Sequence, residues 1–182
     1  MRRFALFALP LMLAACGEAG DEAAPLSDDE IDAANPLADA SLDLQGTGIV
    51  IPAQAGFEEL AVPFGSGRIP TEATLGNVLG EAIDESADPN DCGLTWTTYE
   101  GVTLSFRDDA FAGYFAEPPY TDIGTRAELL AGENVALYDE STLGEEFTIG
   151  AAETPVISGL FSGPEDDAAV IALWAGENCI AR

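Results

Sequence analysis

The residues best equipped for chemistry in this 182-residue chain are carboxylates: 33 aspartates and glutamates face six arginines, with no lysine and no histidine. Several carboxylates are clustered. Asp84, Glu85, Asp88, Asn90 and Asp91 crowd one stretch; Asp139-Glu140, Glu145-Glu146 and Glu165-Asp166-Asp167 form others. Calcium is held by six to eight oxygens from a flexible loop, so Asp84, Asp88, Asn90 and Asp91 are the candidate ligands. Set on the EF-hand pattern from Asp88, however, the fifth position is Cys92, and the twelfth is Tyr99 where a bidentate glutamate belongs. The stretch therefore reads as a calcium loop or as a solvated acidic turn. Two carboxylates flanking a glycosidic bond are the machinery of a hydrolase, though no pair stands out from the rest. Other chemistries are excluded outright. Without histidine there is no imidazole base or ligand; without lysine there is no phosphate-loop lysine and no Schiff base. Gly46-Thr47-Gly48 opens like a dinucleotide loop but has Ile51 for its third glycine, and Gly65-Ser66-Gly67 lacks the spacing of a nucleophile elbow. No cofactor motif is present. A formal charge of −27 leaves no cationic surface for nucleic acid or for an anionic bilayer face.

The N-terminus has a second kind of chemistry. Arg2 and Arg3 precede a ten-residue apolar run, residues 4–13 (FALFALPLML), and then Leu13-Ala14-Ala15-Cys16. Ten apolar residues are too few to span a bilayer as a helix and match the core of a signal peptide. The LAAC string resembles the lipobox of bacterial lipoproteins. That resemblance implies a signal peptide over residues 1–15, cleavage before Cys16, lipid on the Cys16 sulfur and membrane attachment through it. With Gly17 rather than aspartate after the cysteine, it also implies the outer membrane, facing the periplasm, in a Gram-negative host. Taking Cys16 away leaves Cys92 and Cys179, an even number that suits an oxidising compartment, and the two are expected to form a disulfide. Cleavage also removes Arg2 and Arg3, leaving four arginines against 33 acids, a formal charge of −29.

Residues 16–45 read as an acidic disordered tether. Nine acids, no base and no aromatic lie between residues 17 and 45, too little apolar surface to offset the entropy of ordering. Such a chain spans ~30 Å and would hold the rest clear of lipid. Leu37, Ala40 and Leu44 recur at the spacing of a helical turn. From Gly46 the composition turns globular, and residues 46–182 suffice for one domain. GTGIVI at residues 46–51 reads as a strand, and residues 57–62 alternate poorly but end apolar. Leu75, Val78, Leu79, Ala82 and Ile83 trace one helical face. Residues 94–116 then alternate as a three-stranded antiparallel meander with turns at Glu100-Gly101 and Asp108-Asp109; Phe111, Gly113 and Phe115 are expected on one face and Tyr114 on the other. Thr125-Arg126-Ala127-Glu128 is a capping box opening a short helix. Residues 135–138, 146–149, 156–161 and 168–175 are further strands. Trp96 and Trp174 lie in strand-like runs close to Cys92 and Cys179, where they pack beside the disulfide or stack on a ligand. Arg68, Arg107 and Arg126 are expected to pair with carboxylates.

The class is α+β: short helices on an antiparallel sheet, with possible tandem repeats over residues 46–116 and 117–182. Thr71-Glu72-Ala73-Thr74-Leu75 matches Thr125-Arg126-Ala127-Glu128-Leu129 at an offset of 54, and Asp108-Asp109-Ala110 matches Asp166-Asp167-Ala168 at 58. A helix laid on strands, given twice, resembles the β-lactamase-inhibitor-protein-like fold. Leu79-Gly80 after the first helix is similar to a step in the BamE (SmpA/OmlA) outer-membrane lipoproteins, without the proline that follows closely there. These resemblances imply an architecture and a lipoprotein setting and transfer no functional residue. The function expected from the sequence is a lipid-anchored envelope protein acting as a non-enzymatic binding or scaffold module with an envelope protein partner. A calcium-responsive acidic lipoprotein and a carboxylate-dependent hydrolase are the alternatives.

Overall fold

The computed structural model describes residues 37, 40–54, 56–150 and 156–181. The expected signal peptide, Cys16 and most of the expected tether lie outside the described residues. Antiparallel strands make up most of the fold. Three short ones, β1 (Asp43–Gln45), β2 (Gly48–Ile51) and β3 (Leu60–Pro63), form a small sheet in that order. Helix α1 (Arg68–Leu79) leads into β4 (Asp84–Ser86), β5 (Thr95–Tyr99), β6 (Val102–Arg107) and β7 (Ala110–Ala116). Helix α2 (Arg126–Leu130) leads into β8 (Val135–Leu137), β9 (Glu146–Ile149), β10 (Ile157–Phe161) and β11 (Val170–Gly176). The eight strands form one sheet in the order β4-β5-β6-β7-β11-β10-β9-β8, so each helix is followed by a four-strand meander and the last strands of the two meanders meet at the centre. The α+β class and the antiparallel sheet expected from the sequence are present.

The first strand begins earlier than composition indicates. Asp43, Leu44 and Gln45 pair with Val50, Ile49 and Gly48, while Leu37 is buried and Leu42 and Leu44 pack against the core. The helical spacing of Leu37, Ala40 and Leu44 resolves into one turn, closed by the Ala40 N–H on the Leu37 carbonyl, and then a strand. Three apolar side chains with a core to meet outweigh the acids between them.

Helix α1 stops at Gly80, which adopts φ 83 and donates its N–H to the Gly76 carbonyl. Ile83, expected on the helix face, is 70% exposed, and the acidic stretch after it contributes β4 to the sheet edge. Helix α2 begins with the predicted capping box: Thr125 and Glu128 satisfy each other's backbone N–H groups.

The central meander differs from strict alternation at one point. Between Ser105 and Phe106 the β6–β7 register shifts: Phe106 pairs with Phe111, but Ser105 pairs with Gly113. One residue of β7 is thus extra, and the side chains after it change faces. Phe111 and Tyr114 both enter the core, each at most 1% exposed, whereas Phe115 turns to the opposite face. The expected grouping of Phe111 with Phe115 is corrected by this bulge. The β10–β11 pair shifts in the same way between Leu160 and Phe161.

Candidate functional site

The face of the central sheet away from the main core has its own side-chain ladder. Register places Trp96 opposite Ser105, Thr98 opposite Thr103, Thr103 opposite Phe115, and Phe115 opposite Trp174. The Phe115 and Trp174 rings stack with centroids 6.1 Å apart. Here the surface sinks into a recess of about 320 Å³, walled by the Trp96 and Phe115 rings, the Thr98, Thr103 and Ser105 side chains, and Asn90 and Asn178 at the rim. Trp96 is fixed by its indole N–H, which donates to Asp84 Oδ2 at 3.0 Å. The Thr98 and Thr103 hydroxyls share a bond of 3.2 Å across the strand pair.

Two segments form the rim, and two links join them. Cys92 and Cys179 form the expected disulfide, with Cα atoms 5.8 Å apart and a sequence separation of 87. Beside it, Arg107 donates to the Cys92 carbonyl at 3.1 Å and to Glu177 Oε2 at 2.6 Å. The loop before β5 closes on Asn90, whose Oδ1 accepts the N–H groups of Cys92 and Leu94, both at 3.0 Å. The segment after β11 turns at Gly176, φ 73, and Asn178 Nδ2 donates back to the Ala175 carbonyl. Trp96 therefore faces the same recess as Cys179, and Trp174 packs into the face on Phe115.

The candidate calcium ligands have other arrangements. Asp84 lies on β4 and holds the Trp96 indole; Asn90 Oδ1 closes its own turn. Among the described residues no three carboxylates or thiols converge in a metal-binding group, Asp84, Asp88 and Asp91 included. The Glu145-Glu146 cluster is held within the fold. Glu146 is 1% exposed and accepts the Ser141 hydroxyl at 2.6 Å, and Glu145 pairs with Arg126 at 3.0 Å.

The three arginines of the described domain each pair with a carboxylate. Arg68 binds Glu72 at 2.7 Å and Arg107 binds Glu177. Arg68 is also the most fully engaged. Its remaining N–H groups reach Ser86 O and Thr95 Oγ1, Trp96 O and Thr97 Oγ1, and its guanidinium lies 4.9 Å from the Phe106 ring centre. Arg68 thereby anchors the start of α1 to β4 and β5, the strands that place Trp96. Several tyrosines are perturbed. Burial, with a smaller push from Asp43, raises Tyr114 far above its ordinary value; burial and Glu72 raise Tyr99, and burial and Glu100 raise Tyr120.

Sequence reasoning singled out Trp96, Asn90 and Cys179 but not Phe115, Thr103 or Asn178. Phe115 reaches the recess only because of the β7 bulge, which period-two counting does not detect. Asn178 comes in through the disulfide. No known protein family, curated protein or solved structure matches the chain.

Proposed function

We propose that the chain is a lipid-anchored cell-envelope lipoprotein whose α+β domain is a non-enzymatic binding module, with the disulfide-framed recess as its ligand site. The observation that supports a binding role is the lining of that recess. It combines two aromatic residues, four hydroxyl residues and two amides, and no acidic or basic residue is among its lining residues. Anchoring is supported by the LAAC string at Cys16 and by the pairing of the two cysteines that lipidation leaves over. An outer-membrane position facing the periplasm follows in a Gram-negative host from Gly17.

We also read the domain as two copies of one helix-plus-four-strand unit. The supporting geometry repeats: Gly67 bridges Ala110 and Thr125 bridges Ala169, each helix entry pairing with the last hairpin of its own unit. The first helical residue is an arginine in both, Arg68 and Arg126, lying over Phe106 and Phe161. Each phenylalanine sits at the register shift of its unit. Arg68 and Arg126 are 58 positions apart, the offset of the two acidic turns. The helix match at 54 is thus four residues out, about one helical turn, which brings the same face round again.

Palmitate labelling in the host, with the natural chain beside Cys16→Ala, tests the anchor: label on the natural chain and none on the variant is expected, and an unlabelled, unattached natural chain overturns it. Crosslinking in intact cells followed by capture of the lipidated chain tests the module. A reproducible envelope partner, lost when residues 46–182 are deleted and the tether kept, is the expected result.

A further inference from the structure

The identity of the ligand follows from the lining of the recess and rests on the binding role proposed above. We infer that the recess takes an uncharged saccharide, one or two sugar units at the end of an oligosaccharide. The first argument is charge. In a mature chain of −29 the potential opposes an anion, and a cation would be held by a carboxylate in the wall; the wall has none. The ligand is therefore neutral. The second is the mixture of groups. Asn90 spends its Oδ1 on two backbone N–H groups, which turns its amide N–H₂ into the free donor; Asn178 spends its Nδ2 on Ala175, which leaves its Oδ1 as the free acceptor. Thr98 and Thr103 share one bond between them and retain further capacity, and Ser105 adds another hydroxyl. Donors and acceptors interleaved at this density match a ligand whose every polar group is both, a polyol. The third is shape. The Trp96 and Phe115 rings offer apolar walls suited to the C–H face of a pyranose, and the indole is held in place by Asp84. A volume of about 320 Å³ is at the small end for ligand sites and fits one or two rings. The sugar is bound and not cleaved: no carboxylate is among the lining residues, and Asp84, next to the indole, already accepts its N–H.

The test uses the full mature chain with its disulfide intact, titrated with chitotriose, cellotriose and maltotriose. Tryptophan fluorescence and ligand saturation-transfer NMR are the readouts. At least one sugar is expected to bind saturably, with a dissociation constant of about 1 mM or tighter, the range of weak small-ligand sites. Trp96→Ala should weaken that sugar at least tenfold and Trp96→Phe less, with melting curves establishing that both variants are folded. Binding unchanged in both folded variants overturns the assignment to this recess. A neutral fragment mixture of amides and small aromatics is run in parallel. Fragments that bind and are displaced by Trp96→Ala, with no sugar bound, overturn the saccharide and leave the binding role standing. No sugar and no fragment bound overturns both.

Discussion

Arg68 has five N–H donors and gives each of them a partner, with Phe106 beneath the guanidinium and the side chain only 15% exposed. A lysine keeps the charge but offers a point of three donors and no planar face. Arg68→Lys should therefore cost about 2–3 kcal/mol in urea denaturation, because buried carbonyls and hydroxyls of β4 and β5 lose their partners. Arg126→Lys should cost less: its guanidinium lies 6.0 Å from Phe161 and its pairing is with Glu145. Equal losses at the two sites would count against Arg68 as the anchor of its unit. Tyr114 gives a second residue-scale prediction. It is fully buried, and its hydroxyl donates to the Gln45 carbonyl, tying the central sheet to β1. A raised folded pKa means that the neutral phenol is favoured by folding. That contribution is complete below the unfolded value near ~10 and is lost as pH rises above it toward the folded value. Melting temperature should hold level up to about pH 10 and fall beyond it, and Tyr114→Phe should flatten most of that alkaline fall. An alkaline limb as steep in the variant as in the natural chain would assign the loss to Tyr99 and Tyr120 instead.

At the scale of elements, α2 is the clearest case of local sequence deciding structure. Five residues are too few for a helix to persist by propensity. The Thr125–Glu128 box holds it, with the Arg126 and Ala127 N–H groups donating to the Ala168 and Asp166 carbonyls of the β10–β11 turn. The Thr125 N–H and hydroxyl also hold the Glu128 carboxyl below its ordinary range. The contribution of that carboxylate is present above the unfolded carboxyl value and is lost as pH falls through the lowered one. Thr125→Ala should cost about 1 kcal/mol and should move the acid limb of the stability curve to higher pH. An unchanged melt and acid limb would mean that the turn alone holds α2. The box, the meander turns at Glu100-Gly101 and Asp108-Asp109 and the strand at residues 135–138 were all legible, because each is fixed within a few residues of itself. The left-handed pair Asp108 and Asp109, φ 51 and 60, is a hairpin signal of this kind. What escaped is set at a distance. The β7 bulge depends on which β6 residue is opposite, β4 depends on an edge of β5 being free to accept it, and β1 depends on a core that Leu37, Leu42 and Leu44 can reach. The recess was legible as Trp96 and a disulfide and illegible as a site, since Phe115 and Asn178 join it only through the bulge and the Cys92–Cys179 link.

For the whole molecule, the dominant fact is charge. A chain with 33 acids and six arginines must fold against its own repulsion, and three of those arginines are already committed to Glu72, Glu177 and Glu145. The remaining carboxylates see one another across solvent, where screening acts over about 10 Å at 0.1 M salt and about 3 Å at 1 M. Compact folding brings these charges closer than the unfolded chain does, so salt should relieve the native state more than the denatured one. Thermal stability is expected to rise clearly between low salt and seawater-strength sodium chloride. Potassium chloride at equal ionic strength should match it, since screening does not distinguish the cations. A net-neutral osmolyte that is not a sugar, such as TMAO, separates charge from general exclusion effects: its stabilisation should be unaffected by ionic strength, whereas that of sodium chloride should saturate as screening completes. A flat melting temperature across the sodium chloride series would mean that the carboxylates are already far enough apart to ignore one another. A rise with calcium that equal ionic strength of sodium does not reproduce would instead reinstate a specific acidic site. The same series reads the recess. Neutral walls in a charged molecule make saccharide affinity independent of ionic strength, so stability should climb with salt while binding stays level.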